Sequence, residues 1–133
     1  MKYLFIAFFL INSFCYGQSD SRVSTIDFVE ILQNNKAEAL YYYEHNWKVL
    51  REMAIAENYI ESFQLLETPY SKEAPFHLML ITTYTNQRQY NLREENFTKL
   101  IEQLGGLKLL NDQKPPAFRK SVFVKENVKH LTH

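Results

Sequence analysis

The spacing of apolar residues between positions 26 and 58 predicts a strand followed by a helix. Residues 26–32 are rich in β-branched and apolar side chains and end at two asparagines, which is typical of a strand. No glycine or proline interrupts residues 35–58, and Asn35 with Glu38 resembles a capping box at the helix start. Apolar residues recur there at steps of three and four, which indicates an amphipathic helix. The stripe comprises Leu40, Tyr43, Trp47, Leu50 and Ala54, widened by Asn46 and Met53.

Two more strands are predicted in the middle of the chain, on either side of a loop. The first covers residues 59–68, and prolines at both ends of residues 69–75 indicate the loop. The strand after the loop, residues 76–84, is the third of the chain and is apolar on both faces. Phe76, Leu78 and Leu80 are expected on one face, and Met79 and Ile81 on the other. A sheet with one wet face alternates apolar and polar residues, so we expect something beyond the helices to cover the second face.

The last third of the chain predicts a second helix and a short final strand. Asn86, with a glutamine three residues later, indicates the helix start, and Gly105 indicates its end. Residues 107–120 contain two prolines and should be irregular, and residues 121–125 are expected to form the last strand. The predicted order is therefore strand, helix, strand, strand, helix, strand.

That order resembles the ferredoxin-like split βαβ arrangement, an α+β fold with a four-stranded antiparallel sheet and two helices on one face. Residues 26–128 are similar, in the order and length of their elements, to the dimeric α+β barrel superfamily. The resemblance implies a homodimer in which two units pair sheet to sheet. Members of that superfamily include small oxygenases and isomerases acting on aromatic compounds, haem-binding enzymes and proteins without known activity. None of their catalytic motifs matches this sequence, so no catalytic role transfers.

The amino terminus has the pattern of a cleavable bacterial-type signal peptide. Lys2 is followed by an uncharged, mostly apolar stretch, and Cys15 and Gly17 place small residues three positions and one position before Gln18. The stretch is too short to span a membrane, which takes ~20 apolar residues. We therefore expect residues 1–17 to be removed, residues 18–25 to form a flexible leader, and residues 129–133 to form a tail.

The sequence predicts an exported protein, periplasmic or secreted, with no membrane attachment after cleavage. A lipid anchor on Cys15 is the alternative, but Asn12 and Phe14 stand where a lipobox has an aliphatic and a small residue. Cleavage after Gly17 would remove the only cysteine, which leaves no disulfide and no thiolate metal site.

Composition excludes several common functions. The chain has 15 basic and 15 acidic residues without a long block of either sign, which argues against nucleic acid or an anionic membrane as partner. Its 3 glycines form neither a dinucleotide fingerprint nor a phosphate-binding loop, and we predict no cofactor. No histidine pair has metal-ligand spacing, so no metal site is expected.

The candidate chemistry rests on aromatic richness and one histidine. A small apolar pocket between helix and sheet would be lined by Tyr43, Asn46, Trp47 and Tyr84, although core packing is the default interpretation of the aromatics. His77 falls on the apolar third strand, where its imidazole is either the candidate catalytic group or a histidine of the core. We expect His45 to be solvated and His130 and His133 to lie in a frayed tail.

Two functions from different classes therefore stand, and the sequence leaves open whether the protein is an enzyme. The first is a dimeric binding or accessory protein with a small apolar or aromatic ligand. The alternative is a cofactor-independent enzyme, similar to an oxygenase or isomerase, with His77 as general base. A filled core would favour the accessory role, and polar groups converging on an open cavity would favour a ligand site.

Overall fold

The computed structural model describes residues 20–132, so the predicted signal peptide, the start of the leader and His133 lie outside the described part. The strands are β1 (Val23–Ile31), β2 (Ser62–Glu67), β3 (Leu78–Tyr84) and β4 (Arg119–Lys129). The first helical segment comprises α1 (Lys36–Tyr42), a π-helical turn (Tyr43–Trp47) and α2 (Lys48–Ala56). Then follow α3 (Gln87–Asn91), α4 (Arg93–Leu104) and the single turn α5 (Pro115–Phe118). Across residues 20–132, no helix has the length and apolar character needed to cross a bilayer.

The four strands form one antiparallel sheet in the order β2-β3-β1-β4. This is the ferredoxin-like α+β arrangement, which confirms the predicted fold class. β1 lies in the middle of the sheet, where Asp27 faces Leu80 of β3 on one side and Val124 of β4 on the other. β1 begins at Val23 rather than at residue 26, so the end of the predicted leader belongs to the sheet.

The predicted tail is also tied to the sheet. β4 runs to Lys129, and the His130 ring nitrogen Nε2 lies 2.8 Å from the Ser24 hydroxyl at the start of β1. His130 is half-buried, which corrects the expectation of a frayed histidine. The correction follows from strand pairing, since β1 starts early enough to meet the end of β4.

The first helix contains an irregularity that its sequence pattern does not show. At the π-helical turn, the Lys48 amide donates to the Tyr43 carbonyl five residues earlier. The predicted capping box is wrong, because the side-chain amide of Asn35 donates to the Ala117 carbonyl and the Glu38 carboxylate accepts from the Asn111 side chain. Both side chains therefore hold the segment 107–120 against the first helix instead of capping its start.

The second helical segment, α3 and α4, begins and ends as predicted. The Asn86 side chain accepts from the Gln89 amide at 2.9 Å, which caps α3. Gly105 follows α4 with φ of 82°, a left-handed conformation that glycine adopts without the clash a Cβ brings.

The core on the helix side of the sheet consists of two apolar clusters. One packs α1, α5 and the β3 start around Val29, Tyr43, Leu78 and Phe118. The other packs α2, α3 and α4 around Val23, Ala54, Tyr84 and Leu100. Between them the inward positions of the central strands carry polar side chains, which are Thr25, Asp27 and Thr82. The core is therefore interrupted at its centre.

The opposite side of the sheet, here called the outer sheet face, carries the apolar strand residues Ile26, Phe28, Leu66, Met79, Ile81, Phe123 and Val128. Phe76 precedes β3 and packs against Phe28, with ring centroids 4.8 Å apart, so the expectation that it shares a face with Leu78 and Leu80 is wrong. The segment 107–120 does not cover this face, because Phe118 is buried in the helix-side core.

Candidate functional site

A cavity of about 390 Å³ occupies the polar gap between the two core clusters. Its floor is the sheet and its walls are α2 and α4, and we call it the helix-side cavity. It is open toward the edge strand β4, where Val124 is 49% exposed and Ile101 of α4 is 56% exposed. The lining residues are Thr25, Asp27, Trp47, Leu50, Arg51, Leu80, Thr82, Tyr84, Arg93, Glu94, Phe97, Ile101, Val124 and Glu126.

Arg51 is the central charged group of this cavity. It projects from α2 between two aromatic rings, with its guanidinium carbon 4.6 Å from the Trp47 ring centroid and 4.4 Å from the Phe97 ring centroid. Its Nε donates to the Thr82 hydroxyl at 3.3 Å. Burial lowers the pKa of the guanidinium to about 10, so Arg51 stays protonated at neutral pH.

Two polar groups on the sheet floor are already oriented by neighbours. The Asp27 carboxylate accepts from the Ser121 hydroxyl of β4 at 2.5 Å. The Tyr84 phenol lies against the Thr25 side chain, and burial raises the pKa of Tyr84. The floor therefore offers a carboxylate and a neutral phenol at fixed positions.

The mouth of the cavity carries a paired cation. The Arg93 guanidinium lies 3.5 Å from the Glu126 carboxylate and 3.8 Å from that of Glu94. It also stacks 4.1 Å from the Tyr90 ring centroid. Arg93 is therefore ion-paired within the protein, whereas Arg51 makes no ion pair with a described residue.

A second cavity of about 260 Å³ adjoins the first and shares Trp47, Leu50, Arg51 and Ile101 with it. Asn46 lines this space, but its side chain makes three hydrogen bonds. The amide donates to the carbonyls of Tyr42 and Lys108 at 3.0 and 2.8 Å, and its oxygen accepts from the Lys108 amide at 2.7 Å. Asn46 thus fastens the loop after α4 to the first helix.

The predicted pocket residues divide between these spaces. Trp47 and Tyr84 line the helix-side cavity, and Asn46 and Trp47 line its neighbour. Tyr43 lines neither cavity, because it is 2% exposed within the first core cluster. Its hydroxyl lies beside Arg119 without a hydrogen bond of good geometry, and burial raises its pKa.

His77 lies apart from the helix-side cavity, at the end of the β1–β3 ladder. Its Nδ1 accepts from the Ile31 amide at 3.0 Å, and its ring stacks on Tyr70 with centroids 5.0 Å apart. A neutral imidazole that accepts at Nδ1 carries its proton on Nε2, so neither nitrogen is a free acceptor. The structure therefore does not bring His77 together with Asn46 or Trp47.

His45, predicted to be solvated, is half-buried on the first helix. Its Nδ1 lies 2.9 Å from the Tyr41 carbonyl, and its ring stacks on Tyr41. Within residues 20–132, no group of three or more acidic, histidine or cysteine side chains is arranged to hold a metal ion.

Sequence reasoning missed Arg51, Asp27 and Thr82. The first carried a signal, because Arg51 follows Trp47 by four residues and so puts a charge on the apolar face of its helix. The others did so too, since Asp27 and Thr82 share the inward faces of their strands with the apolar residues Val29 and Leu80.

Comparison with known proteins adds a fold-level likeness. No family model matches the chain, and no curated protein matches it. Among solved structures, the chain is similar to a protein from Bacteroides thetaiotaomicron named as a proposed antibiotic biosynthesis monooxygenase. The two share 20% identity with a TM-score of 0.35, over 71% of this chain and 90% of the other.

Proposed function

We propose that this protein binds a small, largely apolar molecule in the helix-side cavity. The observation that carries the proposal is the gap in the core, where polar residues of the central strands face an open space of about 390 Å³. Ligand pockets typically have volumes of about 300–1,000 Å³, apolar walls and a few fixed polar groups. Trp47, Leu50 and Phe97 supply such walls, and Asp27, Thr82 and Tyr84 supply the polar groups.

The test is a thermal-shift screen of the purified domain with small ring compounds, repeated on two variants of α4. Ile101→Trp places a large side chain at a position that lines both cavities and is 56% exposed, so the fold should tolerate it. Glu102→Trp adds the same ring at the neighbouring exposed position outside the lining. We expect ligand-induced shifts to disappear in Ile101→Trp and to persist in Glu102→Trp. Equal shifts in both variants would refute this site.

Catalysis without a cofactor is the alternative use of the same cavity, and the Asp27 carboxylate on its floor is the observation that favours it. His77, the base suggested by the sequence, does not line the cavity. Recovery of a bound compound unchanged after prolonged incubation supports simple binding. Turnover that is lost in Asp27→Asn while binding persists supports the enzyme.

We further propose that the protein is exported and begins at Gln18 after signal cleavage. The support is the charged start, apolar stretch and small residues at Cys15 and Gly17. Intact mass spectrometry of the exported protein should give the mass of a chain starting at Gln18. A lipid-modified Cys15 at the new terminus would contradict this and place the protein on a membrane.

Dimerisation through the outer sheet face is a third proposal, with a second copy of this chain as the occupant. Its support is the apolar outer sheet face, on which Leu66 and Phe123 are 40% and 41% exposed. Light scattering should give a dimer for the wild type and a monomer for Phe123→Glu. The control Lys114→Glu changes an exposed residue on the helix side and should remain dimeric. A monomeric wild type at micromolar concentration would refute the proposal.

A further inference from the structure

We infer that the ligand of the helix-side cavity is a monoanion, a carboxylate carried on a ring or other apolar body, and that Arg51 binds the carboxylate. This inference rests on the proposed ligand-binding function and names the chemical class of the ligand. It depends on which groups of the fold contact the Arg51 guanidinium and on which of its N–H groups have no acceptor among the described residues.

Arg51 is a half-buried cation that forms no ion pair with a described residue, although the Asp27 carboxylate in the same cavity acts on it electrostatically. Within residues 20–132, no carboxylate lies within ion-pair distance of its guanidinium, and its one hydrogen bond to protein runs from Nε to Thr82. Residues 1–19 contain neither aspartate nor glutamate, so that segment has no acidic side chain to offer. Charges withdrawn from water in proteins are ordinarily paired, so a cation without an ion pair in a cavity is a candidate for binding an anionic ligand.

The surroundings of Arg51 leave part of its guanidinium without a partner among the described residues. The ring centroids of Trp47 and Phe97 lie 4.6 and 4.4 Å from the guanidinium carbon, so aromatic rings flank the group on these two sides. With Nε directed at Thr82, the four N–H groups on the two Nη atoms remain without a protein acceptor among the described residues. Two parallel N–H groups on a planar guanidinium match the two oxygens of a carboxylate.

The other charged groups of the cavity further restrict the chemical class of the ligand. Arg93 is paired with Glu126 and Glu94, so it does not compete for an anion. Asp27 shares the cavity with Arg51 and attracts it electrostatically without forming an ion pair, and its negative charge would repel a second anionic group on the ligand. A monocarboxylate therefore fits better than a dicarboxylate, and a ligand hydroxyl could donate to Asp27.

The experiment compares matched acid and amide probes by isothermal titration calorimetry. The pairs are naphthalene-2-carboxylate with naphthalene-2-carboxamide, and indole-3-acetate with indole-3-acetamide. We expect the wild type to bind each acid about tenfold or more tightly than its amide, because a charge-assisted hydrogen bond exceeds a neutral one. Arg51→Met should weaken acid binding by about the same factor and leave amide binding within about threefold.

Two further variants serve as controls. Lys48→Met removes an exposed cation one turn before Arg51 and should keep the acid preference. Arg51→Lys keeps a charge without the planar pair of donors and should show a reduced preference. If Arg51→Met does not fold, the Lys variant carries the comparison.

The outcomes distinguish the ligand site itself from the anionic ligand and from the role of Arg51 in binding it. Equal binding of acid and amide by the wild type would overturn the anionic ligand and leave the cavity as a ligand site. Acid preference that survives in Arg51→Met would overturn the role of Arg51. Absence of binding by every probe at millimolar concentration would overturn the proposed function, and this inference with it.

Discussion

Replacing Arg51 with methionine should not destabilise the protein, although the residue is half-buried between α2, α4 and the sheet. Burial lowers the pKa of Arg51 to about 10, and a tenfold change in acidity corresponds to ~1.4 kcal/mol, so holding the charge there costs roughly 3 kcal/mol. Two cation–π contacts of ~0.5–1 kcal/mol each and one hydrogen bond of ~1 kcal/mol offset most of that penalty. We therefore expect the free energy of unfolding of Arg51→Met to be level with wild type or ~1 kcal/mol higher.

Urea denaturation followed by tryptophan fluorescence and circular dichroism measures this difference. The folded-state pKa of Arg51 is lowered but still lies near 10, so the penalty is fully present throughout the neutral range and fades only as the pH rises through that value. The difference between variant and wild type should therefore be the same at about pH 6 and about pH 8. Arg93→Met is the matched control and should destabilise by ~1 kcal/mol, because it removes the hydrogen bond to the Tyr90 carbonyl and the exposed ion pairs to Glu126 and Glu94. A loss of ~2 kcal/mol or more in Arg51→Met would show that the guanidinium stabilises the fold, and the reasoning would fail.

Three other substitutions test the surrounding structure. Asn46→Ala removes both bonds to Lys108 and should cost ~1–3 kcal/mol while speeding hydrogen exchange of the Lys108 amide; unchanged exchange would contradict the fastening role. His77→Ala leaves the Ile31 amide without its acceptor, so the melting temperature should fall by the equivalent of ~1–2 kcal/mol, and an unchanged value would mean that water replaces the imidazole. Trp47→Ala removes a half-buried ring that lines both cavities and should cost ~2–3 kcal/mol in chemical denaturation, with ring-compound binding weakened in calorimetry; full binding would place the ligand elsewhere.

Local signals in the sequence determined the order of elements and most of their limits. Asn86 caps α3 and Gly105 ends α4 because their chemistry acts within a few residues of chain, where neighbours elsewhere have little influence. The first helix differed in detail. Asn35 and Glu38 had the spacing of a capping box, but Ala117 and Asn111 lie close enough in space to take their hydrogen bonds.

The candidate site was less predictable from the sequence than the order of elements was, because it depends on how those elements pack. Trp47 and Tyr84 were predicted from their aromatic character, but Tyr43 on the same helical stripe is enclosed in the core. A helical period specifies which residues face inward, and it does not specify whether they meet a packed side chain or an open space. Neighbouring positions of one stripe can therefore have different roles.

What the sequence alone determined is the ferredoxin-like order of strands and helices, because periodicity, caps and turn residues act over short distances along the chain. What only the tertiary structure decided is the contents of the space between the layers. Thr25, Asp27 and Thr82 come from two strands, Arg51 from one helix and Phe97 from another, and the packing of these elements brings them together. No spacing along the chain encodes that meeting, since the distances that define the site run across the sheet and between the layers rather than along the sequence.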